Sequence, residues 1–129
     1  MKVSAVLPAP PEAVYKAWLS NKEHGAMTAT PSAKISARVG GAFTAGGGYM
    51  WGQTLELDPS KRIVQSWRTT EFPEEAPDSR LEVVLEKTKG GTRITITQTE
   101  IPLGQGESYR QGWIDYYFTP MKEYFSRKG

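Results

Sequence analysis

Near Ser108 the hydrophobic pattern of this chain changes period, and that change limits the folds open to it. Before Ser108, apolar residues alternate in short runs punctuated by glycine and proline. After it, Tyr109, Trp113, Tyr116, Tyr117, Met121, Tyr124 and Phe125 recur at helical spacing on one broad stripe. An antiparallel sheet buries one face, and this aromatic stripe is the only large apolar surface in the sequence able to cover it. The expected fold class is therefore α+β, with a curved antiparallel sheet wrapped around a long C-terminal helix.

The strands and turns follow from local chemistry. Val3, Ala5 and Leu7 alternate with Lys2, Ser4 and Val6 until Pro8, Pro10 and Pro11 stop the run. Pro11 suits the first turn of a helix, where its missing N–H is no loss, and Val14, Ala17 and Trp18 continue at helical spacing. That helix ends near Ser20 or Asn21, and a second short helix is expected from Asn21 to Met27. Ala33, Ile35, Ala37 and Val39 then give the cleanest alternation in the chain and the strongest strand expectation. Glycines at 40–41 and 46–48 turn the chain into strands at 42–45 and 49–57, Asp58-Pro59-Ser60 into a strand at 62–70, and Lys89-Gly90-Gly91 joins the last pair. Pro120 interrupts the final helix by withholding a bond from the Tyr116 carbonyl, which predicts a kink or a fresh start capped by Thr119.

Composition removes several functions. The chain has 129 residues, the length of one domain spanning 1–129, and no linker divides it. A net charge of +2 with interspersed signs offers no basic face for nucleic acid. No run approaches the roughly 20 apolar residues of a membrane span. The absence of cysteine excludes disulfides, thiolate nucleophiles and cysteine-ligated zinc, and agrees with a cytoplasmic location. His24 is the only histidine, read here as a surface residue beside Lys22 and Glu23, so serine triads and histidine metal sites lack their usual parts. Gly46 to Gly48 lack the continuation of a phosphate-binding loop and read as a hairpin turn. The expectation is a protein that is not an enzyme and needs no cofactor or metal.

The residues that invite a binding role are amides among rings. Gln53 is placed on one face with Tyr49, Trp51, Leu55 and Leu57; Gln65 lies between Ile63 and Trp67; Gln98 continues the phase of Ile94 and Ile96. Inward-facing amides need partners, and an unsatisfied one destabilises by about 1 to 3 kcal/mol. Two readings stay open. Either Phe43, Tyr49, Trp51, Gln53, Gln65, Trp67, Gln98, Trp113 and Tyr117 line a pocket between the sheet and the last helix, or the rings fill a core and the glutamines face solvent or strand ends. Glu74, Glu75 and Asp78 form an acidic loop that suits either plain solvation or a basic partner.

Four segments carry a family resemblance: Val39-Gly40-Gly41-Ala42-Phe43; Gly52-Gln53-Thr54-Leu55-Glu56-Leu57 with Pro59; Arg62-Ile63-Val64-Gln65-Ser66-Trp67-Arg68; and Arg110-Gln111-Gly112-Trp113 running into Tyr116-Tyr117-Phe118. In this order they resemble Hsp90 ATPase activator homologue 1-like domains of the START-like helix-grip (SRPBCC) superfamily. The resemblance implies a helix-grip fold, an apolar or amphipathic small-molecule ligand, or an Hsp90-type chaperone partner in a stress response. A START-like enzyme such as a cyclase is the remaining alternative. The eukaryotic co-chaperone carries an additional amino-terminal domain, and this chain begins at the first strand of the other one, so only part of the chaperone contact is expected.

Overall fold

The computed structural model describes residues 1–30 and 32–128, the side chain of Lys128 excepted. Strand β1 (Lys2–Leu7) is followed by α1 (Pro11–Trp18) and α2 (Asn21–Met27), then β2 (Lys34–Ile35), β3 (Ala42–Ala45), β4 (Met50–Asp58), β5 (Arg62–Thr69), β6 (Ser79–Thr88) and β7 (Gly91–Thr99). A C-terminal helix closes the chain as α3 (Gly106–Gly112), a π-helical segment (Trp113–Phe118) and α4 (Thr119–Lys128). The strands form one seven-stranded antiparallel sheet in the order β1-β7-β6-β5-β4-β3-β2. Its inner face carries Ile63, Gln65 and Trp67 from β5, Leu81, Val83 and Leu85 from β6, and Ile94, Ile96 and Gln98 from β7. Trp113, Tyr117, Phe118, Met121 and Phe125 of the C-terminal helix bury their side chains in the same core. The outer face is charged, with Arg62 between Glu82 at 2.6 Å and Glu56 at 2.9 Å.

The helices begin where the sequence places them. Pro11 occupies the first turn of α1, and the Ser20 hydroxyl accepts from the Glu23 N–H at 3.1 Å to cap α2. Three expectations change. The run from Ala33 to Val39 pairs only at Lys34 and Ile35, and Val39 is 61% exposed. As an edge strand with a single neighbour, this segment yields to local turns: the Arg38 N–H donates to Ser36 at 2.8 Å and the Gly41 N–H to Arg38 at 2.9 Å.

The second change is in β4. Met50 and Thr54 point inward, and Trp51, Gln53 and Leu55 point out, so Gln53 and Trp51 do not share the interior with the other candidate residues. The register against β5 slips between Thr54 and Glu56, and this bulge turns Leu57 back toward the core opposite Ile63. Periodicity alone cannot register an inserted residue.

The third is the end of the chain. Thr119 is itself helical and does not cap a new start. Its N–H reaches back to the Ile114 carbonyl, so the helix passes Pro120 through a widened turn instead of breaking. The Tyr116 carbonyl, which Pro120 cannot satisfy, accepts from the Ala29 N–H at 2.8 Å. The proline thus frees an acceptor that ties the loop after α2 to the last helix.

Gly52 sits where β4 passes closest to β5: a Cβ there would overlap the Ser66 carbonyl oxygen and crowd the Phe43 ring. Gly47 in the β3–β4 turn has open space around it, and its φ of +68° is its only constraint. Gly52→Ala is expected to destabilise by about 3 kcal/mol or more and Gly47→Ala by about 1–2 kcal/mol. Urea denaturation midpoints of the two variants check the order.

Candidate functional site

The rings of the interior form a continuous path. From Tyr109 it runs to Trp67 (5.0 Å between centroids), Trp113 (5.5 Å), Tyr117 (4.7 Å), Trp18 (5.3 Å) and His24 (5.2 Å), with most contacts edge-on or tilted. Side-chain amides fix two of the indoles. Trp113 Nε1 donates to Gln98 Oε1 at 3.0 Å, and Gln98 Nε2 donates to the Ser79 hydroxyl at 2.9 Å. Trp18 Nε1 donates to Gln65 Oε1 at 3.3 Å, and Gln65 Nε2 donates to the Thr54 hydroxyl at 3.2 Å. Gln65 and Gln98 therefore do face inward, but their hydrogen-bonding groups are spent on the protein, and no fully buried side-chain nitrogen or oxygen among the described residues lacks a partner.

His24 corrects its surface reading. Helix α2 turns His24 and Met27 to the core on one face and leaves Lys22 outside. His24 Nδ1 lies 2.7 Å from the Trp18 carbonyl, which only accepts, so Nδ1 carries the proton; Nε2 then accepts from the Tyr117 hydroxyl at 2.7 Å. Burial lowers its pKa to about 4, against a smaller opposing effect of the Trp18 carbonyl. Burial likewise raises the Tyr117 hydroxyl, which stays protonated as a donor.

Beside this network lies a cavity of about 420 Å³ open to solvent. Its walls are Ala29 and Thr30 after α2, Gly46, Tyr49 and Met50 of the β3–β4 hairpin, Trp67 on β5, and Ser108, Tyr109, Gly112, Trp113, Tyr116 and Tyr117 of the C-terminal helix. The rim is ordered by hydrogen bonds between sheet and helix. Tyr109 donates to Gln105 Oε1 at 2.6 Å and so accepts from the Thr69 hydroxyl at 2.8 Å; Gln105 Nε2 donates to the Glu71 carbonyl at 3.0 Å, and Tyr49 donates to the Glu71 carboxylate. Of the nine candidate residues, Tyr49, Trp67, Trp113 and Tyr117 meet at this cavity. Phe43, Gln65 and Gln98 are packed in the core, and Trp51 and Gln53 lie on the outer face.

Sequence reasoning overlooked Gly112 and Met50. The signal for Gly112 was a residue without a side chain within the aromatic stripe, which leaves room where its neighbours fill it. The acidic loop is organised from within: Arg68 donates to the Pro73 and Ala76 carbonyls, pairs with Asp78 at 2.8 Å and sits 5.4 Å over the Phe72 ring. Glu74 and Glu75 are exposed. Among the described residues no cluster of acidic or histidine side chains is placed to hold a metal, and no helix is long and apolar enough to cross a membrane.

With this arrangement established, the likeness to known proteins becomes specific. Residues 8–126 match the family described as Activator of Hsp90 ATPase homolog 1-like protein. The chain belongs to that family. It is 32% identical over 115 residues to the human activator of 90 kDa heat shock protein ATPase homolog 1, an alignment that covers 89% of this chain and 33% of the relative. The chain thus spans about a third of the length of the curated relatives it matches. Among solved structures, an HSP90 activator from Plasmodium falciparum superposes with a TM-score of 0.84 at 20% identity, covering 98% of this chain and 95% of the other. The Aha1 dimer from Colwellia psychrerythraea gives 0.75 at 16% identity, covering 98% and 92%. These structures establish the START-like helix-grip fold.

Two measurements check the polar interior. Gln98→Leu is expected to strand the Trp113 N–H and destabilise by about 1–3 kcal/mol, and Gln53→Ala to stay within about 0.5 kcal/mol, both read from urea unfolding at neutral pH. His24 also makes stability depend on pH. Its folded pKa lies below the unfolded 6.5, so between that value and about 4 the unfolded chain binds the extra proton; its contribution is complete above 6.5 and is lost as pH falls, by up to about 3 kcal/mol. Unfolding free energies across this window should fall by up to about 1.4 kcal/mol per pH unit, and His24→Gln should remove that slope.

Proposed function

We propose that this domain is a non-enzymatic binding module that takes an apolar or amphipathic small molecule in the cavity between the β3–β4 hairpin and the C-terminal helix. The observation that carries this reading is the cavity itself. At about 420 Å³ it falls within the range of about 300–1,000 Å³ typical of small-molecule sites, and its walls are largely aromatic. Its position agrees with the fold: the hairpin and helix form two walls that a bound molecule bridges. The human and mouse relatives are named as activators of a heat shock protein ATPase, not as enzymes.

A chaperone contact is the second reading. The 32% identity to the human activator favours an Hsp90-type partner, and Trp51 and Leu55, at 37% and 43% exposure, put apolar area on the outer sheet face where a protein surface can reach it. Under this reading the domain alone binds an Hsp90 and changes its ATPase rate. Absence of binding at several hundred micromolar, where affinity is only about 5 kcal/mol, contradicts it.

Gly112→Leu separates the two. Gly112 is helical, and a Cβ there meets only the Tyr116 ring at 3.8 Å, so a larger side chain enters the cavity without backbone strain. The variant is expected to match or exceed the parent in stability by up to about 1 kcal/mol, since glycine is the poorer helix former. Ligand-induced thermal shifts from a screen of lipids and aromatic metabolites should disappear in it, while chaperone binding persists. Ligand shifts that survive Gly112→Leu would place the site elsewhere.

A further inference from the structure

We infer that the cavity selects neutral, flat aromatic molecules bearing a carbonyl oxygen, and that the indole N–H of Trp67 recognises that oxygen; this deepens the small-molecule reading above and rests on it. Trp18, Trp67 and Trp113 are the buried indoles. Gln65 takes the N–H of Trp18 and Gln98 that of Trp113. Trp67 is 3% exposed, yet its Nε1 donates to no acceptor among the described residues. Because no fully enclosed side-chain nitrogen among the described residues is left without a partner, this N–H faces open space, and the space that Trp67 borders is the cavity.

Most other hydroxyls on the wall have no proton left to offer a ligand. Tyr117 has given its proton to His24, Tyr109 to Gln105, Tyr49 to Glu71 and Thr30 to Thr28, so these hydroxyls meet a ligand as acceptors, while the Ser108 and Tyr116 hydroxyls lie on exposed residues of the rim, away from the buried Trp67 ring. An indole N–H can only donate. No charged side chain lines the cavity among the described residues. A carboxylate entering it sheds water without gaining a counter-charge, and an ammonium finds only the Glu71 carboxylate at the rim, already engaged by the Tyr49 hydroxyl. A neutral carbonyl meets one fixed donor while its ring packs against Trp67, Trp113 and Tyr109. A buried donor of this kind discriminates against analogues that lack the acceptor, because it is then desolvated with nothing to bind.

A matched naphthalene series tests this: the methyl ketone, the ethyl hydrocarbon, the carboxylate and the aminomethyl compound. Affinities are measured by calorimetry, and the indole N–H resonances are followed in heteronuclear spectra, with the Trp67 signal assigned by its loss in Trp67→Phe. The ketone is expected to bind about three- to tenfold tighter than the hydrocarbon and to move the Trp67 resonance. Trp67→Phe should abolish that preference and retain hydrocarbon binding. Equal affinities for ketone and hydrocarbon in the parent protein, with the Trp67 signal unmoved, overturn the inference and leave the small-molecule reading standing. Tighter binding of the carboxylate or the amine also overturns it. If none of the series binds, the inference falls, and the screen of lipids and aromatic metabolites decides the small-molecule reading.

Discussion

The hydrogen bond from Trp113 to Gln98 joins the last helix to the strand beneath it, and the rest of the interior is arranged around that junction. An indole N–H on a helix that covers a sheet must find an acceptor within the sheet, and β7 supplies one by placing an amide where its neighbours place isoleucine. Gln65, on β5 and the same inner face, does the same for Trp18 of α1. With both indoles held in place, Tyr117 lies between them at 4.7 Å and 5.3 Å from their rings, and its hydroxyl reaches His24. The polar groups thus set the positions of the rings, and the rings bound the cavity.

The two accounts of the interior open at the level of sequence turn out to describe different parts of it. Toward α1 and β7 the amides and indoles form a filled and satisfied core. Toward the β3–β4 hairpin the packing stops at Gly112 and Met50, and the cavity begins. Pro120 contributes from outside by freeing the Tyr116 carbonyl for Ala29, which anchors a cavity wall to the same widened helical turn that carries Trp113, Tyr116 and Tyr117. Departures of this kind from regular helix are common where a fold carries a site.

Much of this was legible because it depends on local period. The bounds of α2, the inward phase of β5 and β7, and the aromatic stripe of the last helix follow from residue spacing. What was hidden depends on partners far along the chain. His24 is fixed by Tyr117, 93 positions away, and its helix neighbours Lys22 and Glu23 gave the opposite impression. The strand expected to Val39 has only one neighbour in the sheet, so good alternation did not prolong it. In β4 a single bulge put Leu57 out of phase with the outward-facing Trp51 and Gln53, and the family resemblance, which reads residue types in order, carries no information about that reversal.

The central claim is that packing ends at Gly112 and Met50, leaving accessible apolar space under the hairpin. A crystal structure determined under xenon pressure tests it without assuming any ligand, because xenon enters apolar cavities and leaves a strong density peak. The account predicts xenon among Met50, Trp67, Trp113 and Tyr117. A structure with no xenon there, in which the hairpin rests directly on the C-terminal helix and closes the cavity of about 420 Å³, would contradict it.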